Sequence, residues 1–69
     1  MADAALRNRL KERRAELGLT QADLASRVSV SRKTINTVEN GVFVPSTMLA
    51  LKLAAALGRK VEDLFQLAE

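Results

Sequence analysis

Five residues lying close together, Arg32, Lys33, Asn36, Thr37 and Asn40, carry side chains that can hydrogen-bond to the edges of base pairs. Arg and Lys donate to guanine O6 and N7, an Asn amide pairs with adenine through two bonds, and Thr offers a hydroxyl together with a methyl for thymine. Their spacing suits one side of a helix, because residues three and four apart share a face. Ile35 and Val38 supply the opposite, apolar side, and no carboxylate interrupts the polar side before Glu39. A polar helix face can be nothing more than solvated surface. Here a cationic first turn followed by neutral hydrogen-bonding residues points to the major groove of duplex DNA.

Such a face needs neighbours to hold it. Gly18, Gly41 and Gly58 each follow a helical pattern, at the left-handed position that ends many helices. Thr20, Ser31 and Ser46 are good N-caps, and Asp23 three residues beyond Thr20 makes a weaker version of the capping box. These signals predict five helices. The first runs from about Ala4 to Leu17 with Leu6, Leu10 and Leu17 on one face, and the second covers about Gln21–Val28 with Leu24, Ala25 and Val28 inward. The third covers about Arg32–Asn40. The fourth, about Thr47–Leu57, buries Leu49, Ala50, Leu53, Ala54 and Leu57, and a short fifth, about Val61–Leu67, adds Val61, Leu64 and Phe65. In the irregular stretch Gly41–Pro45, Val42 and Phe43 are expected to plug the core. The connection Ser29-Val30-Ser31 is so brief that the second and third helices must cross steeply rather than pack as a hairpin. The expected fold is all-α, a compact five-helix bundle containing a helix-turn-helix, with residues 1–69 forming a single domain.

Composition narrows the function further. A chain of 69 residues supports one small domain, which buries roughly 60% of its unfolded surface. It contains no His and no Cys, so the commonest metal ligand, the usual neutral-pH base and the thiolate nucleophile are missing. There is no glycine-rich phosphate loop either. No catalytic residue, cofactor or metal site is therefore expected, and an enzyme is close to excluded. The net charge is +3, and the excess is uneven: Met1–Gly41 holds eight basic and five acidic residues, Val42–Glu69 three of each. That places the positive field in the part of the chain that carries the polar helix face. No stretch approaches the roughly 20 apolar residues of a membrane span. The first residues lack the pattern of a secretory signal, so a cytoplasmic protein without membrane association is expected.

The run Thr20-Gln21-x-x-Leu24-Ala25-x-x-Val28-x-Val30-Ser31-x-x-Thr34-Ile35-x-x-Val38-Glu39-Asn40-Gly41 resembles the phage-repressor-type helix-turn-helix family, the group that includes lambda repressor, Cro and the Xre-type regulators. Arg14-x-x-x-Gly18-Leu19-Thr20-Gln21 before it, Pro45-Ser46 after it and the ending Leu57-Gly58-x-x-Val61-Glu62-Asp63-Leu64-Phe65 match as well, so the similarity spans Leu6 to Phe65. The resemblance implies that Gln21 anchors a phosphate at the start of the second helix, where backbone amides help. It implies that Ser31, Arg32, Lys33 and Thr37 face the groove, with Asn36 beside them, and that Asn40 contacts backbone phosphate. It pairs Arg14 with Glu39 in an ion bridge between the first and third helices; the alternative is that Arg14 itself binds phosphate. One position departs from the pattern. Residue 29 is usually Gly in this family because the turn needs a positive φ, and Ser29 carries a cost of roughly 1 kcal/mol there.

One such unit reads about half a site, and proteins of this type pair by two-fold symmetry on half-sites roughly 34 Å apart. Met48, Leu51 and Ala55 recur at helical spacing beside the core stripe of the fourth helix, which is broader than a one-sided helix needs. They are expected to form a homodimer contact with Leu67; a broadly buried helix covered by the fifth helix and the tail is the alternative. The function expected is that of a sequence-specific transcriptional regulator of double-stranded DNA. With no separate activation or ligand-binding domain in the sequence, repression is the expected sign. An antitoxin-like module, in which the same fold docks a protein partner and DNA binding is secondary, is the other reading.

Overall fold

Hydroxyl caps start the three middle helices. Thr20 Oγ1 accepts the Asp23 N–H at 3.0 Å, and the Asp23 carboxylate accepts the Thr20 N–H at 2.9 Å, so the capping box is complete. The backbone and hydroxyl of Thr20 hold the Asp23 carboxyl below its ordinary range. Ser31 Oγ accepts from Thr34 N–H and Ser46 Oγ from Leu49 N–H, both at 3.1 Å. These are the donors that a helix cannot satisfy from within. In the computed structural model, which describes residues 5–68, the order is β1 (Ala5–Asn8), α1 (Leu10–Glu16), α2 (Gln21–Arg27), α3 (Arg32–Glu39), α4 (Thr47–Leu57), α5 (Val61–Leu64) and β2 (Phe65–Ala68). Leu10, Leu24, Val28, Ile35, Val38, Leu53, Leu57 and Leu64 are fully buried and form one core, with Leu49, Ala54 and Phe65 at its margin. No helix among the described residues is long and apolar enough to cross a membrane.

The expected all-α bundle needs a correction at both ends. Residues 5–8 are a strand, not the opening turns of the first helix, and they pair antiparallel with residues 65–68, of which 65–67 were expected in the fifth helix. Leu6 faces Leu67 and Asn8 faces Phe65 across the pair. The predicted helical start at Ala4 lies outside the described residues. The reason for the error is that Leu6 and Leu10 fit two periods. Four apart, they share a helix face, but an even separation also places them on one side of a strand. Pairing decides between them, since each short segment supplies the other's missing hydrogen bonds.

Five apolar placements also differ. Leu17 follows the last turn of α1 and is 41% exposed rather than inward. Val42 and Phe43, expected in the core, are 79% and 48% exposed. Both their N–H groups donate to the Thr37 carbonyl, at 3.0 and 3.2 Å, which wraps this loop around the end of α3 with its side chains outward. Leu64 and Phe65, expected in the core, do close it. Ala50 and Val61 are half-buried against that core rather than within it.

The turn between α2 and α3 is closed by Val30 N–H donating to Ala25 O at 3.0 Å. Ser29 at its apex has φ of 59°, the one positive φ outside glycine among the described residues. Left-handed geometry costs an L-residue about 1–2 kcal/mol; glycine relieves that strain but forfeits about 0.4–1 kcal/mol of the gain to the greater entropy of the unfolded chain. Ser29→Gly is therefore expected to stabilise the domain by about 0.5–1 kcal/mol, a rise of a few degrees in the melting temperature at this size. Thermal denaturation checks it, and an unchanged or lower midpoint would remove the strain from this account.

Candidate nucleic-acid interface

Helix α3 has two chemically different sides. Ile35 and Val38, 0% and 1% exposed, fix its inner side against α2 and the rest of the core. Arg32, Lys33, Asn36 and Asn40 are exposed on the outer side, and Thr37 is half-buried between them. The outer face is partly pre-arranged. Asn40 Nδ2 donates to Asn36 Oδ1 at 3.2 Å, leaving the Asn36 amide N–H groups and the Asn40 carbonyl oxygen outward. Thr37 Oγ1 gives its proton to Thr34 O at 2.9 Å, so it offers lone pairs and a methyl. Ser31 Oγ, already capping α3, also lies 2.9 Å from Thr34 Oγ1. Ser31 remains exposed at the start of the helix.

Charge on this face is of one sign. The first turn of α3 carries Arg32 and Lys33 and no acidic residue, and neither cation is in a salt bridge among the described residues. Two cations beside the positive end of a helix dipole cost stability. The same arrangement attracts a polyanion, because backbone N–H groups and side-chain charges act in the same direction.

The one carboxylate of α3 is turned away from the face. Glu39 is 2% exposed in its side chain and accepts from Arg14 Nε at 2.8 Å and Arg14 Nη2 at 3.2 Å, a two-pronged ion pair. Arg14 Nη1 donates to Leu19 O at 2.9 Å. Its bond to Glu39 raises the guanidinium pKa further, so Arg14 stays cationic at any accessible pH. Gln21 joins the pair, its Nε2 donating to Glu39 Oε1 at 3.1 Å. A carboxylate only accepts, so the amide nitrogen must be the atom facing it. One N–H and the carbonyl oxygen of half-buried Gln21 remain for a ligand. This network ties α1, α2 and α3 together.

A second residue grips α3, and sequence reasoning missed it. Asn8, at the end of β1, donates from Nδ2 to Val38 O at 2.9 Å and reaches Glu39 O at 3.4 Å. Within a first helix expected from about Ala4 to Leu17, it carried no signal. Only the even spacing of residues 6, 8 and 10, which share one side of a strand, could have flagged it.

The remaining expected residues lie elsewhere. Met48, Leu51 and Leu67 are 67%, 58% and 70% exposed, and Ala55 is exposed as well. Met48, Leu51 and Ala55 follow one outward stripe of α4, with Leu67 across a shallow apolar groove that Leu6, Pro45 and Phe65 line.

The helix-turn-helix family sequence model matches residues 10–64. The chain is 51% identical over 65 residues to an HTH-type transcriptional regulator of Methanothermobacter thermautotrophicus, covering 93% of this chain and 94% of that one. It is 44% identical over 64 residues to the HTH-type transcriptional regulator YgzD of Bacillus subtilis, covering 93% and 97%. Among solved structures, the restriction-modification controller protein C.AhdI from Aeromonas hydrophila superposes with a TM-score of 0.76 at 36% identity, over 80% of this chain and 83% of that one.

Proposed function

Because this chain belongs to the helix-turn-helix family of DNA-binding transcriptional regulators, we propose that it acts as a homodimeric repressor that lays α3 in the major groove of a palindromic operator. The observation that carries this reading is the outer face of α3. Arg32 and Lys33 stand at its first turn in no salt bridge among the described residues, Asn36, Thr37 and Asn40 follow, and the single carboxylate of α3 is buried behind them. Arg32, Lys33, Asn36 and Thr37 reach base edges, while Ser31 and Asn40 contact flanking phosphates. Gln21 gives its remaining N–H to a phosphate at the start of α2. The second half-site is read by a second copy, held through Met48, Leu51, Ala55 and Leu67. The support for that surface is the exposure of three large apolar side chains, Met48, Leu51 and Leu67.

Selection of bound duplexes from a random pool tests the reading. A two-fold symmetric site is expected, with half-site centres roughly one helical turn apart. Binding to it should weaken with salt, by a slope of about −0.9 for each phosphate contacted. An asymmetric or featureless selection, or affinity indifferent to salt, would overturn it. Sedimentation is expected to find a dimer at tens of micromolar, and a monomer there would remove the α4 contact.

A further inference from the structure

Asn8 sits where three elements meet. Its Nδ2 donates to Val38 O at 2.9 Å and approaches Glu39 O at 3.4 Å, while its Oδ1 accepts the Leu10 N–H at 3.2 Å. One amide thus caps the end of α3 and the start of α1 together. The residue that formally precedes α1, Arg9, provides no side-chain cap. Asn8 itself is held by the β1–β2 pairing, opposite Phe65, and by Arg9 N–H donating to Leu64 O at 2.8 Å. Its grip is on the same turn of α3 that Arg14 and Gln21 hold through the Glu39 carboxylate. From that turn, Asn40 and Asn36 project into the proposed groove contact.

We propose that Asn8 is a positioning residue for base reading. Through it, the terminal strand pair sets the angle at which α3 presents Asn36, Thr37 and Asn40, although Asn8 itself touches no DNA. This rests on the DNA-reading function proposed above. The two hydrogen-bonding ends of the amide allow the role to be separated from ordinary helix capping. Asn8→Asp keeps the acceptor for Leu10 N–H but sets a carboxylate against the carbonyls of α3. Asn8→Ser is also a normal helix cap, without a new charge, and its hydroxyl is too short to reach α3.

The test measures affinity for the selected site and for random duplex, with helicity followed by circular dichroism. Both variants are expected to lose about tenfold in the ratio of specific to random binding, the size of one mismatched base pair. Affinity for random duplex should stay within about twofold, since Gln21 and Ser31 are held by contacts independent of Asn8 and, among the phosphate contacts, only Asn40 depends on it. Should the charged variant unfold, the serine variant carries the same test. An unchanged ratio in a folded variant, or equal losses on both duplexes, overturns the proposal. A parent chain with no preference for its selected site overturns the proposed function as well, whereas discrimination retained by parent and variants alike overturns only the role of Asn8.

Discussion

Arg14→Ala is expected to cost about 3–5 kcal/mol of folding stability, the usual penalty for removing one partner of a buried ion pair. The variant would leave the Glu39 carboxylate, 2% exposed, with only the Gln21 amide for company. It would also release Leu19 O from its donor. Stability in proteins runs at about 0.05–0.15 kcal/mol per residue, so a domain this small loses a large share of its total. Replacing both charges, as in Arg14→Met with Glu39→Leu, is expected to recover most of that loss, because the carboxylate no longer has to be kept from water. Urea denaturation of parent, single and double variants measures all three. A single variant within about 1 kcal/mol of the parent would mean that Glu39 finds water when Arg14 is gone, and would remove the network from the account of how α3 is held.

Arg32→Ala and Lys33→Ala are the second pair of variants, and their expected loss is in binding. Each should weaken association with the selected site by about 1–3 kcal/mol if its side chain reads a base. Both residues are exposed and in no salt bridge among the described residues. Their removal is also expected to leave folding unharmed or slightly improved, since two cations leave the positive end of a helix. Parallel titrations on selected and random duplex separate the roles. A loss confined to the selected site marks base reading. Equal losses on both reassign the residue to phosphate, and no loss on either removes it from the interface.

Much of this arrangement was legible beforehand because its determinants are local. Capping hydroxyls at Thr20, Ser31 and Ser46 mark where α2, α3 and α4 begin, and each bonds an amide three residues on. The positive φ of Ser29 is implied by the family resemblance, in which that position is usually Gly. What could not be read depends on partners distant in sequence. Asn8 meets Val38 only after the whole fold has closed. The same holds for residues 65–68, whose pairing partner lies at the other end of the chain. Leu6 shows the ambiguity most plainly, since strand and helix both turn it toward apolar neighbours and only β2 decides between them.

That strand pairing has a consequence for folding kinetics. β1 and β2 join residues about sixty positions apart, whereas α2 and α3 meet across a turn of a few residues. Closing so long a loop costs entropy that grows as about (3/2)RT ln n, and few contacts repay it until the helices are assembled. The pairing should therefore be absent from the folding transition state. Substitutions along the two strands will leave the folding rate almost untouched and appear as faster unfolding. The residue that steadies the reading helix would then be among the last to lock and the first to let go.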